Sequence, residues 1–359
     1  MKTYYVIGTM SGTSMDGVDI AYVKLSEENN HWTYELMECK TVLYTDQMKE
    51  LLSTADQKRA NGFAIVHSDY GRFLGKIIKY FIEENRLKVD FISSHGHTIF
   101  HQPSKKLTVQ IGNGAAISAF CNVPVVCNFR TMDIALGGQG APLVPIGDRY
   151  LFGEYDYCLN LGGIANISFE NNKKPSERIA GDIVPVNMML NHLAQQVGMA
   201  HDTDGELARK GTIDATLLHK LNALKYYDKP FPKSLGKELV KEEHLLELFT
   251  SKINLEDKMR TVCEHIAFQI GKVILKEQNE SQSLKKMFVT GGGTFNKFLM
   301  ELIREKCSVE IIIPDENVVK FKEAIIFALL GTLRMRGEIN CLKSVTGASR
   351  DCIGGAVYL

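Results

Sequence analysis

The sequence predicts an α/β chain built in two halves, and three observations carry that prediction. Short apolar runs alternate with longer segments of helical spacing along the whole chain. Each half opens on the same pattern of strand, glycine-rich turn and returning strand, first at 3–22 and again at 157–170. The length of 359 residues suits two domains, at roughly 150 residues each, and each could bury its own core.

The first half begins with the apolar run Thr3–Ile7 and a turn from Gly8 to Gly17. Val18, Ile20 and Tyr22 then alternate with Asp19 and Ala21, as a half-buried strand does. Trp32–Val42 reads as a third strand. Phe73, Leu74, Ile77, Ile78, Phe81 and Ile82 place a helix within 63–85. Strands follow at Val89–Ser94, which ends in the polar loop Ser94-His95-Gly96-His97-Thr98, and at Val123–Phe129. A glycine-rich loop, 136–142, leads into the second half. There Tyr157–Leu161 is a strand, 162–166 a turn and 167–170 the return. Helices are predicted over 257–276, 296–306 and 320–336, strands over 287–290 and 309–313, and an irregular tail over 341–359. The division this suggests is an N-terminal domain over 1–130, on which the tail from about 337 to 359 packs back, and a C-terminal domain over 131–336.

Composition excludes some roles. Lys plus Arg and Asp plus Glu each number 42, which argues against a chain that grips nucleic acid or an anionic membrane by bulk charge. No apolar run approaches a membrane span and the N-terminus lacks the pattern of a signal peptide. The eight cysteines are scattered without CxxC spacing and read as reduced, mostly buried thiols of a cytoplasmic protein.

The strongest chemical signal is the turn Gly12-Thr13-Ser14-Met15-Asp16-Gly17-Val18-Asp19. Small and hydroxyl residues expose backbone N–H groups suited to phosphate oxygens. Asp16 and Asp19 could hold Mg²⁺ beside them, directly or through water. Neither a Walker A loop nor a dinucleotide fingerprint is present, because the turn runs into a strand. Gly162, Gly163 and Asn166 form a second candidate phosphate turn, and Gly291, Gly292, Gly293 and Asn296 a third between strand and helix. Each has a plain alternative as an ordinary turn. His95, His97 and His101 lack the companion spacing of a zinc site.

The segment from Gly12 to Asp19 resembles the opening signature of the anhydro-N-acetylmuramic acid kinase family. The resemblance continues, in order, through Ser94–Thr98, Asn128-Phe129-Arg130, Asp133, the block from Gly138 to Pro145, and Leu161–Asn166. It runs on through Pro232-Lys233-Ser234, Gly291–Asn296, Glu323-Ala324 and Thr346-Gly347-Ala348. It implies a two-domain actin-like ATPase fold, the fold of sugar kinases, Hsp70 and actin, with an interdomain cleft and an adenosine site in the second domain. It also implies ATP and Mg²⁺ as cofactors, a small sugar as partner and a homodimer. The reaction it implies is hydrolytic opening of 1,6-anhydro-N-acetylmuramic acid with phosphorylation of O6.

By the same resemblance Asp182 is the base that deprotonates water, although a helix cap near Pro185 would suit it as well. Arg130 would grip the lactyl carboxylate, Glu323 would face the sugar, and His97 would line its site where the family usually has Gln. The chain departs from the family after Asp182: Ile183-Val184-Pro185-Val186-Asn187 keeps Pro and Asn but lacks two glycines. A same-fold kinase of another sugar, or a nucleotide-gated ATPase that is no kinase, are the alternatives.

Overall fold

The computed structural model describes residues 1–12, 15–174, 177–236, 240–277 and 284–359. Thr13 and Ser14, both expected in the first phosphate turn, lie outside the described residues. In chain order the strands are β1 (Lys2–Ser11), β2 (Gly17–Glu28), β3 (His31–Leu43), β4 (Phe91–Gln102), β5 (Leu107–Ile111) and β6 (Val125–Cys127). There follow β7 (Tyr157–Leu161), β8 (Ile164–Glu170), β9 (Arg178–Pro185), β10 (Lys286–Thr290), β11 (Glu310–Ile312) and β12 (Ala356–Tyr358). Among the described residues no helix is long and apolar enough to cross a membrane.

The chain divides into two compact units, Met1–Leu151 with Phe321–Leu359, and Phe152–Lys320. The first unit therefore runs past residue 130 and also takes most of helix Glu316–Arg336, which the sequence reading placed in the second domain. The reason is packing. Helix Val144–Leu151 sets Gly147 so close to Ile326 that a Cβ would stand 2.5 Å from its side chain.

In unit 1 the sheet order is β12-β6-β4-β1-β2-β3, with β5 attached to β4. β1, β2 and β3 form an antiparallel meander, and β4 and β6 continue the sheet in parallel on the other side of β1. The period-2 pattern puts Val18, Ile20 and Tyr22 on one face. There they meet Tyr70, Leu74, Ile78 and Phe81, spaced three and four apart on helix Ala60–Glu84. The tail is less irregular than its sequence suggests. Cys341 pairs with Cys352, and β12 closes the sheet against β6. All eight cysteines are free thiols.

Unit 2 repeats this order as β11-β10-β7-β8-β9, with β7, β8 and β9 antiparallel and β10 and β11 parallel to β7. The doubled strand–turn–strand opening is thus a doubled sheet topology. Met259, Val262, Ile266, Ile270 and Ile274 of helix Leu255–Glu277 pack on this sheet's core.

Gly8, in the middle of β1, lets helix Glu316–Arg336 approach so closely that a Cβ there would overlap the Ala324 carbonyl. Gly8→Ala should cost roughly 1–3 kcal/mol, a fall of about 5 °C in the thermal midpoint. Gly62→Ala, on a helix where the nearest atom would stand 3.6 Å away, should be neutral or slightly stabilising. Circular dichroism melts of the two variants check this.

Candidate functional site

In unit 1 the first turn is shorter than its sequence suggests, because β1 keeps its ladder to Ser11. Met15 adopts a left-handed φ of 57° and its N–H donates to the Gly12 carbonyl at 3.3 Å. Gly17 lies against β3, where a Cβ would overlap the Val42 carbonyl. Val18 is 1 % exposed, so its side chain belongs to the core and cannot reach a ligand. Asp16 is exposed. The Asp19 carboxylate accepts from the Thr41 hydroxyl at 2.6 Å. Burial holds the Asp19 carboxyl above its ordinary value, Thr41 opposes that, and the neighbouring Asp16 charge adds to it. Asp16 is therefore near enough for its charge to act on Asp19.

Behind the turn, β1 and β4 lie side by side and bring their polar side chains together. Thr9 donates to Ser94 at 3.1 Å. Ser11 bonds His97 Nδ1 at 2.8 Å and Tyr44 at 2.6 Å, and Tyr44 bonds Tyr70. The expected polar loop 94–98 is in fact the middle of β4, because these partners satisfy its side chains inside the fold. His97 is 2 % exposed, and burial pushes it down to about 4.

Arg130 is held by two partners. Its Nε and Nη2 stand 3.1 and 2.9 Å from His95 Nε2, and Nη1 donates to the Gly140 carbonyl at 2.7 Å. Because guanidinium only donates, His95 Nε2 accepts and Nδ1 donates, toward the Gly96 carbonyl 3.0 Å away. Burial, then the Arg130 charge, hold His95 well below the usual imidazole value, so it is neutral. Glu323 is exposed on helix Glu316–Arg336. Crowding by protein raises its carboxyl, Arg130 and Lys322 lower it, and Asp19 raises it. Asp16, Asp19, Arg130 and Glu323 thus share one electrostatic neighbourhood within unit 1. Gly8 and the Ser93–Phe327 hydrogen bond seat the helix that carries Glu323.

Asp133, fully buried, ties the glycine loop to the tail. It accepts from the Gly140 N–H at 2.7 Å, the Thr346 hydroxyl at 2.6 Å and the Cys341 thiol at 3.2 Å. Asp133, Cys341 and Cys352 lie within 4.8 Å of one another. The carboxylate is already engaged in holding the Gly140 loop, whose carbonyl in turn fixes Arg130.

In unit 2, parallel strands β7 and β10 end together, with Asn160 opposite Thr290, and each runs into a glycine turn. Gly291 has a φ of 86°, and a Cβ there would stand 2.6 Å from Asn160 Oδ1. A Cβ on Gly293 would stand 2.8 Å from Leu161 Cβ, while Gly292 is open except for Asn187 Nδ2 at 3.7 Å. The Gly162 and Gly163 carbonyls accept from the N–H groups of Asn187 and Val186 at 3.3 and 2.9 Å. Ligands of open α/β sheets bind at such strand ends. Two expected ligand residues are differently employed: Asn166 sits within β8 opposite Asn160, and Asn296 caps helix Lys297–Lys306 with its side-chain Oδ1, which accepts from Leu299 N–H at 2.9 Å.

Asp182 lies inside β9, which continues to Pro185, and not at a strand end. Asn166 pairs with Asp182 but Ala165 with Val184, so Ile183 is an extra residue. A bulge of this kind re-aims the side chain beside it. Helix Asn187–Gln195 has Val186 at its N-cap with no side-chain bond, so Asp182 is not a cap. Its carboxylate Oδ2 accepts from Leu235 N–H at 2.8 Å and the Ser234 hydroxyl at 3.2 Å. Its backbone is held by Lys233 O at 2.9 Å and the Tyr226 hydroxyl at 2.7 Å. Burial raises the carboxyl, and Leu235, Ser234 and Lys233, in that order, oppose it. Tyr226, Ser234, Leu235 and Asn187 were not among the expected site residues. The Pro232-Lys233-Ser234 motif and the retained Asn187 were the signals for two of these positions, Ser234 and Asn187.

The doubled sheet order, with glycine turns at the ends of the parallel strands β7 and β10, is that of the actin-like sugar-kinase fold, and the chain is a phosphotransferase of that class. A sequence model of the anhydro-N-acetylmuramic acid kinase family matches residues 4–359, and the chain belongs to that family. It is 32% identical over 381 residues to the anhydro-N-acetylmuramic acid kinase of Sulfurimonas denitrificans, covering 100% of both chains. It is 33% identical to that of Vibrio cholerae, covering 98% of this chain and 97% of the other. A ligand-bound xylulose kinase from Lactobacillus acidophilus aligns over 99% of this chain and 93% of its own, with a TM-score of 0.48 and 11% identity.

The depressed His97 has a consequence for stability. Unfolded, it takes up a proton near the ordinary 6.5; folded, only near 4. Between these values the unfolded state binds more protons, so stability rises with pH there and is lost as pH falls. At most about 3 kcal/mol is involved. His97→Gln should flatten the dependence of the thermal midpoint on pH between 6.5 and 4, measured by calorimetry in a series of buffers.

Proposed function

We propose that this chain opens the 1,6-anhydro ring of anhydro-N-acetylmuramic acid with water while transferring the γ-phosphoryl group of ATP to O6. Asp182 takes a proton from water, whose oxygen bonds to C1 as the C1–O6 bond breaks. O6 bonds to the γ-phosphorus as the bond to the ADP oxygen breaks, and the proton leaves from Asp182 to solvent. The observation that carries this reading is the carboxylate itself. Both of its hydrogen bonds from described residues go to Oδ2, which leaves Oδ1 for the water, and burial makes it a stronger base than a solvated aspartate.

Backbone groups of the turns at Gly12, Gly162–Gly163 and Gly291–Gly293 are the proposed phosphate and nucleotide contacts. Asp16 and Asp19 fit a divalent cation, since each lacks a basic partner at ion-pair distance among the described residues and Asp19 is raised partly by Asp16. When bound, Mg²⁺ would offset charge on the phosphoryl oxygens. Arg130 uses three of its N–H groups on His95 and Gly140. Of the five a guanidinium carries, about two remain to grip the lactyl carboxylate. Neutral His95 orients Arg130 without repelling it, and Glu323 is the proposed partner of a sugar hydroxyl.

The test is ADP release with Mg·ATP and the anhydro sugar in ¹⁸O-labelled water. Wild type should release ADP only with sugar and place label at C1 of the 6-phosphate. Asp182→Asn should lose about 10²–10⁴-fold in kcat. Release of ADP without sugar dependence would instead favour an ATPase that is no kinase. Because the base must be ionised, the acid limb of kcat/KM should lie above the ordinary aspartate value of 3.8. Arg130→Lys should raise KM for the muramyl sugar about tenfold, the worth of one charge-assisted hydrogen bond. It should leave turnover of 1,6-anhydro-N-acetylglucosamine, which lacks the lactyl group, nearly unchanged.

A further inference from the structure

Unit 2 holds a cavity beside Ile179 and Ile183 of β9. Its volume is about 300 Å³, enough for a small molecule of several heavy atoms. Four lysines line it, Lys229, Lys233, Lys272 and Lys276, against two carboxylates, Asp228 and Glu277. Four positive and two negative groups leave a net of +2 facing one small space. Only one pairing is made among the described residues, Lys272 to Asp228 at 3.6 Å.

Lys233 is the deepest of the four. Its ammonium lies 4.6 Å from the centre of the Tyr226 ring and 5.5 Å from that of Phe231. Its one hydrogen bond is to the Tyr226 carbonyl at 3.5 Å. Burial, then Lys272 and Lys276, push it down to about 8. A half-buried ammonium with aromatic and carbonyl neighbours and, among the described residues, no carboxylate at ion-pair distance is poorly compensated. An entering dianion would supply what is missing. The cavity also has an apolar wall of Ile179, Ile183 and Phe231, which suits the carbon body of such a ligand.

We propose that this cavity is a binding site for a small phosphorylated molecule or free phosphate, with the phosphoryl group held by Lys233, Lys272 and Lys276. The ligand would not be a passenger. Lys233 gives its carbonyl to the Asp182 N–H, and the next two residues, Ser234 and Leu235, hold the Asp182 carboxylate. An anion on Lys233 therefore pulls on the segment that orients Asp182. This coupling rests on Asp182 being the base; the binding itself does not.

The experiment is isothermal titration calorimetry on the full chain, with a non-hydrolysable ATP analogue and Mg²⁺ present in saturating amounts to fill the catalytic phosphate site. Inorganic phosphate is titrated in one arm and N-acetylmuramic acid 6-phosphate in the other. The comparison is with Lys272→Gln/Lys276→Gln, two exposed helix positions where glutamine keeps helix propensity. Wild type should bind at least one of the two, and the arm that binds names the source of the phosphoryl group. The double variant should bind it about a hundredfold more weakly, tenfold for each charge-assisted bond lost, with an unchanged melting temperature. Failure of wild type to bind either compound, or equal binding by the variant, would overturn the proposal. Neither result depends on turnover, so loss of sugar-dependent activity would fail the catalytic reading and leave this one standing.

Discussion

A carboxylate half-buried in the fold that must still ionise has to be given hydrogen bonds, and in unit 2 the segment after Lys233 gives them to Asp182. The demand is local but its partners are distant in sequence. The bulge at Ile183 turns Asp182 off the regular ladder, and the segment 233–235 runs beside β9 to supply an N–H and a hydroxyl. Tyr226 bonds the Asp182 carbonyl, so backbone and side chain are both held. With two bonds on one oxygen the rotamer is set, and catalytic groups work best when set before the substrate arrives. Burial raises the carboxyl and the hydrogen bonds restrain that rise, a balance that leaves a group both ionisable and basic.

Unit 1 solves a related problem for a cation. Arg130 is too strongly charged to sit loosely in a crowded place, and it is held by a neutral imidazole and a carbonyl, not by an acid. A carboxylate partner would have neutralised it. His95 keeps its position and leaves its charge available for a ligand acid. The carbonyl comes from Gly140, in a loop fixed by buried Asp133 and, through Thr346, by the C-terminal tail. Residues more than two hundred positions apart thus converge on one guanidinium.

Much of the fold was legible because it follows hydrophobic period. Val18, Ile20 and Tyr22 announce β2, and Leu74, Ile78 and Phe81 announce the helix that covers them. The doubled opening was legible for the same reason, each half pairing an apolar strand with a glycine turn. β4 was not, since Ser93, Ser94, His95 and His97 look like a loop until their partners on β1 and Arg130 are known. The domain boundary was missed because Gly147 and Gly8 betray close packing only when Ile326 and Ala324 are in place. At the candidate site the glycine turns stand out as motifs, whereas Asp182 is singled out only by the family resemblance. The bulge, the clamp from Ser234 and Leu235, and the capping duty of Asn296 are tertiary facts with no local signature.

A base at Asp182 has to be half-buried, restrained and more basic than a solvated aspartate, and its own titration is the sharpest check of that. Selective ¹³C labelling of aspartate side chains, with Asp182→Asn to assign the resonance, would follow its ionisation by NMR in the sugar-free enzyme. The expected midpoint lies above the ordinary 3.8 and moves higher in Ser234→Ala, as one restraining hydrogen bond is removed. A midpoint at or below 3.8, or one that Ser234→Ala leaves in place, would contradict it.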